Sequence, residues 1–162
     1  MRKLFAVFVL VAAVIPAAAE VGPPTDVASR ARGAGKVVVA RVANVRAQFE
    51  SNRFGDQLIV SHAVLEVLET LKGAPQSFEN VAVEGGTVGD LTLRVSDLPS
   101  LQEGDRAVFF LDATTDGSNL PHDRGRGIMK LDATDHVAGS ALSLDDVRQG
   151  VRGALSQGRG GR

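Results

Sequence analysis

The chain has 162 residues, with 18 Lys plus Arg against 19 Asp plus Glu, three His, and no Cys, Trp or Tyr. Without a thiol there is no disulfide, no zinc–thiolate site and no Cys nucleophile. A formal charge of −1 lacks the excess of Lys and Arg that a phosphate backbone demands, which argues against nucleic acid as a partner.

The N-terminus has three parts in the order of a secretory signal. Arg2 and Lys3 are followed by an unbroken apolar run from Leu4 to Ile15, then Pro16, then Ala17-Ala18-Ala19 in the small-residue pattern that signal peptidase reads. Twelve apolar residues fall short of the roughly 20 a membrane-spanning helix needs. Residues 1–19 are therefore expected to be cleaved, leaving a mature chain that starts at or near Glu20 and is periplasmic or secreted. No Cys follows the cleavage region, so no stable membrane anchor is expected afterwards. Losing Arg2 and Lys3 leaves 16 basic against 19 acidic residues, and all stability must come from the core.

Residues 20–35, with Pro23-Pro24 and no apolar periodicity, read as a flexible or short helical lead-in. Within it, Gly33-Ala34-Gly35-Lys36 fails as a phosphate-binding loop: Arg30 stands where the first Gly belongs, Val follows the Lys, and a strand rather than a helix comes next. The run from Lys36 to Phe49 is β-branched and predicts a long strand, with a register change or bulge near Ala43-Asn44. Turn residues 51–56 separate it from Gln57–Leu71. That stretch is also read as a strand, although Val64, Leu68 and Leu71 fit helical spacing as well. Shorter strands are expected at Asn80–Glu84, Leu91–Val95, Arg106–Leu111 and Gly127–Leu131. Their glycine-marked connections at regular spacing indicate a small barrel or sandwich.

Ser143-Leu144-Asp145-Asp146 reads as a helix start, with Ser143 as cap and acids facing the positive helix end. Leu144, Val147, Val151 and Leu155 then form one apolar stripe that should lie on the sheet. Residues 157–162 read as a disordered basic, glycine-rich tail, which makes 36–156 a single domain.

Val81 to Gly89 (with Gly85-Gly86-x-x-Gly89), Leu71-Lys72-Gly73, and Gly104-Asp105 running into Val108-Phe109-Phe110-Leu111 together resemble a group of exported bacterial β-domains of unknown function. The likeness spans roughly residues 36–131. The strand pattern with its terminal helix is also architecturally similar to the OB-type barrels of netrin-like domains and tissue inhibitors of metalloproteinases. That resemblance implies a mainly β fold: a small five- to six-stranded antiparallel OB-like barrel with a C-terminal α-helix. Those inhibitors act through an N-terminal Cys and disulfides, so their mechanism transfers to no position here.

Candidate chemistry is sparse. Asp112, Thr114, Asp116, Ser118 and Asp123 match positions of a twelve-residue calcium loop, but Thr114 replaces the preferred acid or Asn, Asp123 replaces the clamping Glu, and strands flank the loop. The competing reading is a solvated loop whose polar residues serve turn geometry. Ser61 and His62 are adjacent in a strand and so face opposite ways. His122 and His136 each neighbour an Asp without a clear third metal ligand. The tetrad Leu111-Asp112-Ala113-Thr114 recurs as Leu131-Asp132-Ala133-Thr134, which suggests two similar strand exits. Gly85, Gly86 and Gly89 are expected to permit positive φ in a hairpin, or to let a partner approach the backbone. The expectation is therefore an exported, non-catalytic module without a cofactor, binding a protein or envelope ligand. The alternatives are a protease inhibitor on the same scaffold, or a weak hydrolase using Asp116 and His122 of the 112–136 region.

Overall fold

The computed structural model describes residues 25–52 and 54–159; the expected leader, 1–19, lies outside them. The elements are α1 (Thr25–Gly33), β1 (Lys36–Ser51), β2 (Gln57–Lys72), β3 (Phe78–Glu84), β4 (Gly86–Val88), β5 (Leu91–Leu93), β6 (Arg106–Ala113), β7 (Asn119–Pro121), a 3-10 turn (Arg124–Gly127), β8 (Ile128–Leu131) and α2 (Leu144–Arg159). The chain is mainly β. No helix among the described residues is long and apolar enough to cross a membrane.

Six strands form one sheet in the order β1-β2-β3-β7-β6-β8, and β1 pairs with β6 as well as β2. All its pairings are antiparallel except β3 with β7, which is parallel and rests on one residue pair, Val81 with Asn119. The expected antiparallel barrel is thus corrected to a mostly antiparallel, strongly curled sheet that is not a closed barrel, its β3–β7 seam pairing at that one position among the described residues. The reason is local. β7 is three residues long and ends in Pro121, which has no N–H for a longer ladder.

β1 and β6 are buried on both faces at their paired ends, which explains their continuous apolar runs. Inside the curl, Val38, Ala40, Val42, Leu65, Val81, Phe109 and Leu111 form one core. On the outer face, Val37, Val39, Val108 and Phe110 meet Val27 and Ala31 of α1 and Leu144, Val147 and Val151 of α2. Each fully buried aliphatic side chain there contributes roughly 1.5–3 kcal/mol. The predicted bulge is present: Val42 pairs with Leu65 and Asn44 with Val64, which leaves Ala43 without a partner.

The lead-in is a helix over Thr25–Gly33, and it is part of the core where flexibility was one expectation. Val27 and Ala31 are buried, and Lys72 donates to the carbonyls of Ala31, Arg32 and Ala34, closing the helix's C-terminal end. The helical reading of Val64–Leu71 is overturned by its pairing with β1, which continues to Lys72 with irregularities at Leu68 and Leu71. The long-range ladder to β1, joined by β3 as far as Glu66, outweighs local spacing. At α2, Ser143 and Asp146 cap each other reciprocally: the Asp146 N–H donates to Ser143 Oγ at 3.2 Å and the Ser143 N–H to Asp146 Oδ2 at 2.9 Å. The Ser143 hydroxyl holds the Asp146 carboxyl below its ordinary range. α2 runs on to Arg159, so residues 157–159 of the expected disordered tail are helical.

Candidate functional site

The sheet interior ends differently at the two ends of β3. Inward-facing residues on this strand are Glu79, Val81 and Val83, in the alternation a strand imposes. At its start, Glu79 is 5% exposed and forms an ion pair with Lys36, while Asn119 Nδ2 donates to Glu79 Oε2 at 3.0 Å and to the Asn80 carbonyl at 3.0 Å. This end is sealed by a satisfied polar plug.

Past the end of β3 the chain turns into the β4–β5 hairpin, which folds down onto the sheet. Gly85 is buried, with its N–H donating to the Ile59 carbonyl at 2.8 Å and its own carbonyl accepting from Ser61 Oγ at 2.6 Å. Gly86 has φ of 131°, and a Cβ there would run into Ser61 Oγ and come within 2.9 Å of Ala47 Cβ. Two of the three candidate glycines are therefore inward packing positions. Gly89 alone stands exposed, at the hairpin tip.

The segment 94–102 then crosses the open side of the sheet without regular structure, placing Leu98 and Leu101 on the inner core. Arg124 secures it: Nε donates to Asp97 Oδ2 at 2.7 Å and Nη2 to Glu84 Oε2 at 3.1 Å. Asp97 and Glu84 hold the guanidinium well above its ordinary range, and Arg124 in turn lowers the Asp97 carboxyl. Asp123 and Arg124 both adopt left-handed backbone, with φ of 53° and 56°, which turns the Arg124 side chain across the seam.

Between the hairpin and this strap lies a pocket of about 470 Å³, within the size range of small-ligand sites. Its floor includes Val83, Leu98 and Leu101, and its rim includes Arg94, Ser96, Ser100 and Gln102. A broader depression of about 670 Å³ lies beside α1 and β8, but the charged groups around it already satisfy one another, as in Asp26 with Arg30 and Arg126.

The calcium-loop candidates are not gathered around one point. Asp112 accepts from the Gly35 N–H at 3.1 Å and meets His122 Nδ1 at 2.7 Å. Asp116 accepts from Thr114 Oγ1, from the Ser118 N–H and from Ser118 Oγ, which depresses its carboxyl to about 2. Asp123 pairs with Arg126 at 3.3 Å. β7, hidden in what read as loop, runs through the stretch and separates these residues. Among the described residues no group of three His, Asp or Glu is arranged to hold a metal ion.

The histidines have structural company. His122 bonds to Asp112, not to Asp116, and its Nε2 lies against Gly33, where a side chain would collide with it. His62 meets Glu50 at 2.5 Å on the outer face while Ser61 faces inward. Gln48 and then His62 lower the Glu50 carboxyl. His136 contacts Thr134 beside Asp132, whose carboxyl is lowered by the His136 N–H and by Thr134. The repeated tetrads end β6 and β8.

The pocket had a partial sequence signal in Gly85 and Gly86, which line it, and none in Ser61 or the stretch 92–102. The polar plug had one: a lone Glu in phase with Val81 and Val83. No protein-family model matches the chain, and no curated protein is significantly similar to it.

Proposed function

We propose that this chain is an exported, non-catalytic β-domain that binds a small or extended ligand at the open end of its curled sheet. The observation that carries the reading is the asymmetry of the interior: a satisfied plug at Glu79, and a half-apolar pocket of about 470 Å³ beyond Gly85. Support for the non-catalytic part comes from the imidazoles: among the described residues, neither His62 nor His122, each bonded to a carboxylate, is hydrogen-bonded to a hydroxyl nucleophile. The circuit β1–β2–β3–β7–β6–β1, with its one parallel pair, supports reading the fold as a partly open OB-like barrel. Export rests on the N-terminal sequence alone, and fractionation of cells carrying the full-length gene tests it: the cleaved chain is expected outside the cytoplasm.

Backbone amide chemical-shift mapping with 1-octanol, a neutral apolar probe, tests the binding reading. Shifts centred on Gly85, Gly86, Ser96 and Leu101 are the expected result. Shifts elsewhere only, or turnover of ester, peptide or glycoside substrates, contradict it.

A further inference from the structure

Resting on that reading, the polar groups of the pocket define what its ligand must carry. Several lining groups are already spent within the protein. Ser61 Oγ donates to the Gly85 carbonyl at 2.6 Å, Thr87 and Thr92 bond each other at 2.9 Å, and Glu84 is held by Arg124 at 3.1 Å. The Arg94 guanidinium, the Ser96 and Ser100 hydroxyls and the Gln102 side-chain amide have no hydrogen-bond partner among the described residues. The unspent capacity therefore includes one cation, Arg94, beside hydroxyls and an amide that can donate or accept, while the one carboxylate of the lining, Glu84, already carries an ion pair. An amine or guanidinium ligand would find Arg94 opposing it and its only acid, Glu84, already paired. A purely apolar ligand would leave the donors it covers unsatisfied.

The floor has the opposite character. Val83, Val95, Leu98 and Leu101 line it, with Leu101 part of the inner core itself. A ligand that satisfies both parts has an apolar body and a terminal acceptor group of negative charge. The planar fork of an arginine matches a carboxylate in two parallel bonds.

We infer that the pocket takes a terminal carboxylate carried on an apolar group, with Arg94 as the residue that selects it. Two sources share this chemistry, an aliphatic carboxylic acid and the free C-terminus of an apolar peptide. Arg94 is solvent-exposed and unpaired, so replacing it leaves the fold intact and isolates recognition from stability.

The test titrates the full-length chain, after its natural processing, with octanoate, 1-octanol, N-acetyl-Ala-Val-Leu and the C-terminal amide of that peptide, reading amide shifts at Gly85, Gly86, Ser96 and Leu101. Octanoate is expected to bind at least about tenfold more tightly than 1-octanol, the worth of one charge-assisted hydrogen bond. Arg94→Gln should bring octanoate and 1-octanol to within about twofold of each other, and Arg94→Lys should retain part of the difference. Preference for the free peptide acid over its amide supports the inference with a peptide source, and preference for octanoate over both peptides supports it with an aliphatic source. Equal binding of octanoate and 1-octanol, or a preference that survives Arg94→Gln, overturns the carboxylate inference and leaves the pocket standing. If no probe shifts these amides, the pocket reading falls with it.

Discussion

The two ends of the sheet interior spend polar groups in opposite ways. At the start of β3, Lys36, Glu79 and Asn119 satisfy one another inside the fold. Beyond its end, Arg94, Ser96, Ser100 and Gln102 line a pocket, and their side chains have no hydrogen-bond partner among the described residues. Buried polar groups cost free energy unless paired, so the first end is built for stability. Groups at the second end stay solvated until something replaces the water, which is what a binding site requires. The difference teaches that one strand, read inward, can carry a structural lock at Glu79 and open onto a solvated pocket past Gly85, six residues on.

The comparison is broken most severely at the lock. Glu79→Ala strands the Lys36 ammonium in a largely buried position, and urea denaturation should show a loss of about 3 kcal/mol. The double change Lys36→Met with Glu79→Leu should recover most of that loss, because neither charge is then left alone.

At the open end, Gly86→Ala forces a side chain into a left-handed position against Ser61 and Ala47. A loss of roughly 1–2 kcal/mol is expected in the same assay. Unlike Glu79→Ala, it should also displace the hairpin from the pocket and weaken 1-octanol binding. Wild-type binding in this variant would separate the hairpin from the site.

These positions show what was legible in the sequence. The β-branched run of β1, its bulge at Ala43 and the capped start of α2 were readable because each signal is local and periodic. α1 was only half readable: its apolar contacts, Val27 and Ala31, are too few to outweigh Pro23-Pro24 and Gly33 as breakers, and tertiary packing decides it. β7 could not be read, since three residues ending in Pro carry no alternation. The calcium-loop spacing of Asp112–Asp123 was legible as a pattern, yet the chain spends those oxygens on Gly35, His122, Ser118 and Arg126. The pocket needs Ser61 of β2 brought against the neighbouring stretches 83–87 and 92–102, and only Gly85 and Gly86 there carried a local signal.

Smaller effects sharpen the contrast. Lys72→Ala removes the donor that closes α1 and should cost about 1 kcal/mol, the scale of a lost helix cap. Arg124→Gln unlatches the strap from Asp97 and Glu84. Because the pair is solvent-exposed, global stability should fall by no more than about 1 kcal/mol, while amide exchange at 95–98 accelerates.

Acid touches the loop near β7 last. The Asp116 carboxyl ionises at about 2 in the folded chain against an ordinary 3.8, so its hold on Thr114 and Ser118 is fully present above about pH 4. That hold is lost as the pH falls through about 2. The amide shifts of Thr114 and Ser118 should titrate in that window, and Asp116→Asn should abolish the titration.

The most direct measurement is hydrogen exchange of the purified protein with and without saturating octanoate, resolved to the two ends of β3. The account predicts slower exchange at 83–86 and 94–101 and no change at 78–81 or Asn119. Equal protection at both ends, or protection confined to the Glu79 end, would contradict it.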